Sequence, residues 1–418
     1  MKGDLRKIGN GRKGKLFVVE LIKIGFIFFA IIILTFMKVN LWISLLGTTF
    51  LVGLLFHLPV AKIGMDLVSA TLDEKTLLLI AALFTILFFS NLLKETGRMN
   101  KILEGFRHIL KDMRVVVALL PAMIGLMPLV GGALVSAPMV VEGSDQLKLS
   151  PERRTFINYW FRHVWEYILP TYPALILAAT LVGVPVRKLG WVNFPLTPVA
   201  IFSGAMIGFW GISNSKEGGE VSQRTSVWEL LTNLLPLIFA LVLVIGFKVE
   251  LAYAFGLTIL GMIVFNRIDP RTILKALKGS LSIELLLTVV TVMGFKKVLE
   301  SSQAILTIST FLSSSGVPFR LIAIFVPFIV GVMTGMTIAP IAIGFPILIP
   351  LFQNDPDFLN YMMLAFASGI AGDLLSPFHL CLVLTKDYFH AEWKGIFRLL
   401  WVPVASLLGV ALLMTYVR

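Results

Sequence analysis

Arg162, His163 and Glu166 crowd into one short run inside a stretch apolar enough to enter a bilayer, residues 155–182 (TFINYWFRHVWEYILPTYPALILAATLV). An ionisable side chain in hydrocarbon costs about 2.5–3.5 kcal/mol on insertion scales, so three together mark a functional site. Arg162 and Glu166 are four apart, which on a helix places them on one face, able to neutralise each other. Pro170 and Pro173 follow. Each removes a backbone donor and stops the helix near mid-membrane, freeing carbonyls and amides to bind something. The second half carries a matching stretch, GDLLSPFH at 372–379, with Asp373, Ser376, Pro377 and His379.

Half-helices that begin at a break aim their N-terminal amides at the gap, and those positive ends favour an anion. Arg162 adds a fixed charge suited to a carboxylate or phosphonate. Thr171, Tyr172 and Ser376 can supply neutral hydrogen bonds. Coupling to an ion needs a group whose charge or ligation changes. Glu166 and Asp373, each just before a proline break, are the candidates, for a proton or for sodium. His163 and His379 are candidate relays. The bland alternative is a proline-kinked helix with a structural ion pair, hydroxyls packed between helices and histidines held by hydrogen bonds.

What must position these groups is a membrane protein. Of 418 residues, 57% are hydrophobic and 14% charged, with a mean hydropathy of +0.90, whereas soluble domains run near a quarter charged. The chain reads as an all-α polytopic membrane protein of the cell (inner) membrane. The net charge of +12 is the excess of Lys and Arg expected in cytoplasmic loops, not a nucleic-acid surface. The one cysteine, Cys381, excludes an internal disulfide and a multi-cysteine metal site. No HExxH, GxSxG, Walker loop or clustered Cys/His is visible, so no enzyme is expected.

A basic tail (1–15) precedes apolar runs at about 16–37, 40–58 and 76–93, with a loop and short surface helix at 57–75. Residues 94–114 repeat Met99, Ile102, Leu103, Phe106, Ile109 and Leu110 at three- and four-residue steps among basic residues, which predicts an amphipathic helix lying in the membrane interface. Residues 115–141 are uncharged and interrupted by Pro128, Gly131 and Gly132. Each arm is about a dozen residues, roughly 18 Å, too short to span, which predicts a re-entrant hairpin with its tip at 128–136. The broken helix 155–182 and another span at about 194–210 complete the first half, and 211–226 connects to the second.

The second half repeats the first. Pro121, Gly125 and Met127 match Pro327, Gly331 and Met333 at a constant offset (331 − 125 = 206). Glu166 pairs with Asp373 and Pro170 with Pro377, both 207 apart. Repeat 1 (16–210) and repeat 2 (227–418) thus each hold five spans and one hairpin. The second hairpin is the uncharged run 321–352, with its tip at Thr334, Gly335, Thr337 and Pro340, and the second broken helix is 359–384. An odd number of spans turns the second copy upside down, the inverted-repeat plan of secondary transporters, whose substrate sits where the repeats meet near the midplane. Nine basic residues after the third span and around the first hairpin favour placing those loops in the cytoplasm, against the basic tail.

Hairpin and broken helix in each repeat resemble the ion transporter superfamily, which includes divalent-anion/sodium symporters and citrate and gluconate permeases. LVGGALVSAP and NYWFRHVWEYILPTYP are most similar to a prokaryotic branch of integral membrane proteins of unknown function. The resemblance implies a scaffold and a mobile transport region in each protomer, elevator-like movement and a homodimer. It implies substrate contacts from the hairpin tips, here Gly131, Gly132 and Ser136 in the first and Thr334, Gly335 and Thr337 in the second. No Ser-Asn-Thr triplet, the sodium-holding signature of the symporters, stands at either tip. A sodium ion, if used, would sit near Gly131, Glu166, Thr334 and Asp373. The expected function is secondary active transport of a small organic anion, coupled to protons or sodium. The alternatives are a passive channel and an intramembrane enzyme.

Overall fold

The computed structural model describes residues 39–109, 112–126, 132–213, 227–302 and 318–417, with a few positions between 23 and 37. The basic tail, most of the first apolar run, Pro128, Gly131 and residues 214–226 lie outside the described residues. What is described is helical, with no strand among it. Three described helices are long and apolar enough to cross a bilayer, or up to five if each of two bent pairs is one span. Several other apolar helices have 14–17 residues, rising about 21–26 Å each. The chain is an all-α polytopic membrane protein.

Contacts divide the chain into two compact units, and each draws on both halves of the sequence. Unit 1 comprises residues up to Leu77 and Ile283–Asp373. Its helices are α1 (Leu41–Leu55), α2 (Val60–Leu72), the start of α3 (Glu74–Glu95), and, later in the chain, α14 (Ile283–Ser301), α15 (Phe319–Thr334), α16 (Ile338–Phe352) and α17 (Phe358–Leu374) up to Asp373. Helix α14 packs on α1 and α2. Residues 57–75 are therefore more than a surface loop: Ile63, Asp66 and Ala70 of α2 are buried. Helices α15 and α16 pack against each other across the short turn at 335–337. Gly335 closes it at φ +61°, a left-handed conformation that glycine adopts without strain.

Unit 2 comprises Leu78–Ser282 and Leu374–Val417. It holds the rest of α3, then α4 (Arg98–Ile109), α5 (Met113–Gly125), α6 (Gly132–Gln146), α7 (Pro151–Trp160), α8 (Pro173–Val182), α9 (Val186–Asn193), α10 (Leu196–Phe209), α11 (Val227–Ile245), α12 (Leu251–Phe265) and α13 (Pro270–Ser280). From the end of the chain come α18 (Leu380–Phe389) and α19 (Trp393–Met414). Helices α5 and α6 pack against each other. Asp112 caps α5 by accepting from the Arg114 amide, and the Arg114 side chain holds its carboxyl below the ordinary aspartate range. Helix α7 lies against α6, α18 and α19. The Trp160 indole donates to the Ala200 carbonyl at 2.8 Å, in space left by Gly204.

Helix α4 corrects an expectation. Its apolar face does not lie bare in the membrane interface: Met99, Ile102 and Leu103 are buried and the helix packs on α11, with Gly105 against Leu230. The periodicity was that of an amphipathic helix, but a neighbouring helix satisfies the same stripe as lipid does. The side chains of Ile109 and Leu110 lie outside the described residues.

Candidate functional site

The break in the first half opens at Trp160, where α7 ends. Phe161–His163 continue as one 3-10 turn, residues 164–172 run as turns, and Pro173 starts α8. Arg162 and Glu166 thus do not share an α-helical face; the tighter winding after Trp160 removes the four-residue register the spacing implied. Arg162 is 8% exposed, His163 5% and Glu166 6%.

The first hairpin closes around this break. Gly125 abuts the Arg162 carbonyl so closely that a Cβ there would collide with it, and a Cβ on Gly132 would lie 2.9 Å from the Arg162 guanidinium carbon. Tyr172 donates its hydroxyl to the Gly125 carbonyl, with the Arg162 carbonyl 3.4 Å away. Thr171 donates to the Leu126 carbonyl at 3.3 Å, and the Trp165 indole to Ala122 at 2.9 Å. Asn158 donates to Ala133 at 3.1 Å and to the Thr385 hydroxyl at 3.2 Å. Ser136 is buried, its hydroxyl turned back onto the Gly132 and Ala133 carbonyls. Thr171, Tyr172, Gly132 and Ser136 therefore gather at the break with Arg162; Gly131 lies outside the described residues. Removing the Tyr172 hydroxyl deprives a buried carbonyl of its donor, at a cost of about 1–3 kcal/mol. Tyr172→Phe is expected to lower the apparent melting temperature of the purified protein by several degrees. An unchanged melting curve would assign that bond no net stability.

Arg162 also points to a residue that was not foreseen. Its Nη1 lies 3.2 Å from Cys381 Sγ, in the first turn of α18. His163 offers one ring nitrogen to the Tyr159 carbonyl (Nδ1, 2.6 Å) and turns Nε2 toward Glu166 Oε1 at 3.9 Å. His379, the residue before α18, meets His163 ring to ring at 5.0 Å and Tyr159 at 5.1 Å, both edge-on. The ligand atoms of His163, His379 and Cys381 lie within 4.8 Å of one another. The expected absence of a Cys/His cluster is thereby overturned. The chain brings together residues more than two hundred positions apart, a distance over which spacing carries no signal. One cue was in place: His379-Leu380-Cys381 opens a half-helix immediately after a proline break.

The second hairpin repeats the first contact within unit 1. A Cβ on Gly331 would strike the Gly369 carbonyl and come within 2.7 Å of the Asp373 amide, and Gly372 abuts the Phe328 carbonyl. Gly125 and Gly331 are equivalent, and so are Arg162 and Gly369 (369 − 162 = 207). Asp373 is fully buried in the last turn of α17. At the tip, the Thr334 hydroxyl accepts from the Met336 amide at 3.4 Å, Gly335 makes the left-handed turn and Thr337 precedes α16. Ser376, beyond the end of α17, accepts from the Phe378 amide at 3.1 Å.

Sequence comparison matches residues 22–417 to a family described as protein of unknown function (DUF401). The chain belongs to this family. No curated protein matches it in sequence. In fold, this family member is similar to the crystal structure of the Alcanivorax borkumensis YdaH transporter, with a TM-score of 0.59 and 12% identity over 85% of this chain and 88% of that one. At that identity the likeness is one of fold.

Proposed function

We propose that the chain is a secondary active transporter of a small organic anion, carboxylate-like in chemistry. The observation that carries this reading is Arg162: a buried guanidinium at a helix break, with a hairpin of small residues folded over it. An ionisable group inside a membrane segment is a candidate functional group, and a planar guanidinium is suited to gripping a carboxylate. The shared fold with a transporter structure supports the same reading. Within unit 2, the hydroxyls of Thr171 and Ser376 are proposed to add neutral substrate contacts; Thr334 and Thr337, in unit 1, are proposed as substrate-binding groups of the second tip in their own right. Glu166 and Asp373 are proposed as the coupling groups, for protons or sodium, in a homodimer that works by elevator-like alternating access. His163 and His379 are proposed as relays, His163 through Nε2, since its Nδ1 is held by the Tyr159 carbonyl.

The decisive experiment is a thermostability screen of purified protein against small anions, with and without sodium. Stabilisation by one class of carboxylate supports the reading. A flat response across carboxylates, phosphonates and sulfonates would count against it. Glu166→Gln and Asp373→Asn are each expected to abolish gradient-driven uptake while leaving expression and elution volume unchanged. Coupled uptake at wild-type rates in both variants would remove the coupling role.

A further inference from the structure

We propose that His163, His379 and Cys381 form a binding site for a zinc-class transition-metal ion, with a fourth position open to a further ligand. The proposal does not rest on the transport reading: such a site would serve a transporter, a channel or an enzyme alike.

Three observations within unit 2 converge on it. First, the three ligand atoms already lie within 4.8 Å of one another. Zn–N bonds of about 2.0–2.1 Å and Zn–S of about 2.3 Å give tetrahedral edges of roughly 3.3–3.6 Å, so side-chain adjustments of about 1 Å close the set. Second, the tautomer is fixed. The Tyr159 carbonyl can only accept, so His163 Nδ1 carries the hydrogen and Nε2 of the neutral ring keeps its lone pair. A ligating histidine held by a backbone carbonyl through its other nitrogen is the usual outer-shell arrangement of metal sites. Tyr159 is itself pinned, its hydroxyl donating to the Leu374 carbonyl at 3.2 Å and its ring lying edge-on to both imidazoles. Third, the sulfur is held in place beside the imidazoles: Cys381 sits in the first turn of α18, two residues after His379, and Arg162 Nη1 lies 3.2 Å from its Sγ.

The donor set decides the ion. One thiolate and two imidazoles are soft and borderline ligands, which suit zinc or copper(I); sodium and magnesium take oxygen. Glu166, its Oε1 at 3.9 Å from His163 Nε2, stands where it can take the fourth position. Three protein ligands with a place left open is the pattern of a site that also binds a water or substrate, not of a closed structural one.

The test uses full-length protein, stripped by chelator and given Zn²⁺ or Co²⁺ alone. Retention of one equivalent per chain is expected, with a thiolate-to-cobalt charge-transfer band in the near ultraviolet. Cys381→Ser should abolish that band. His163→Gln and His379→Gln should each weaken Zn²⁺ binding by more than the tenfold to hundredfold typical of an outer-shell change. The wild-type spectrum needs no variant, so a variant that fails to fold cannot hide the result. Absence of stoichiometric metal, or cobalt binding without the charge-transfer band, overturns the proposal. So does alkylation of Cys381 by a maleimide at the same rate with and without Zn²⁺.

Discussion

Gly125→Ala and Gly331→Ala are each expected to destabilise the protein enough to cost most of its folded yield. The added Cβ at Gly125 would sit on the Arg162 carbonyl, with the carbonyl carbon 2.9 Å and the Arg162 Cα 3.1 Å away. At Gly331 it would sit on the Gly369 carbonyl, 2.7 Å from the Asp373 amide nitrogen. Both obstacles are backbone, which cannot rotate aside as a flexible side chain can. The hairpin must then lift off the break, or the break must shift. Overpacking of this kind costs about 1–3 kcal/mol, and more where backbone must move. Gly47→Ala supplies the control. It lies in α1 with open space around a new Cβ, and helix propensity favours alanine over glycine by about 1 kcal/mol. Detergent-solubilised yield and apparent melting temperature should fall for the first two variants and hold or rise for the third. If Gly125→Ala and Gly331→Ala melt with wild type, the close packing of hairpin on break does not matter to the fold.

Arg162→Ala should have the largest functional effect. Its guanidinium is buried, hydrogen-bonds Cys381 and faces Gly132. Removing one member of a buried charged set costs about 3–5 kcal/mol. If that energy is expressed in substrate binding, affinity falls by at least about a hundredfold, since each 1.4 kcal/mol is tenfold. Binding of the coupling ion should weaken far less. Arg162→Lys separates charge from shape: lysine keeps the positive charge but lacks the planar fork, so partial recovery is expected. Titrations monitored by thermal shift, with anion and cation varied separately, read both effects. Equal loss of anion and ion binding would make Arg162 a structural residue instead.

Some of this was legible in residue types alone. Pro173 and Pro377 fall at the two breaks, Pro173 opening α8 and Pro377 lying between α17 and α18, but the first break begins earlier, at Trp160, where no proline marks it. Gly125 and Gly331 were visible as repeat partners, and the structure supplies the reason: each meets the carbonyl of an equivalent residue on its own broken helix. Local chemistry thus crossed into tertiary structure where backbones touch backbones. Elsewhere it did not. The four-residue spacing of Arg162 and Glu166 assumed an α-helix that ends at Trp160. The stripe of α4 carried no label saying whether lipid or α11 would cover it. Cys381 looked solitary because, beyond the nearby His379, a lone cysteine shows nothing of the His163 imidazole folded against it from 218 residues away (381 − 163 = 218).

That separation bears on how the protein is made. Asn158 and Thr385 are 227 residues apart, Tyr159 and Leu374 215, and Arg162 and Cys381 219. The ribosome releases Asn158, Tyr159 and Arg162 long before their partners exist. Until α18 emerges, the bonds of Arg162 to Cys381 and of Asn158 to Thr385 cannot form, although Asn158 already has the Ala133 carbonyl within reach in the first half. A chain cut short before residue 374 therefore lacks all three of these bonds, and it is expected to be degraded faster than the full-length protein.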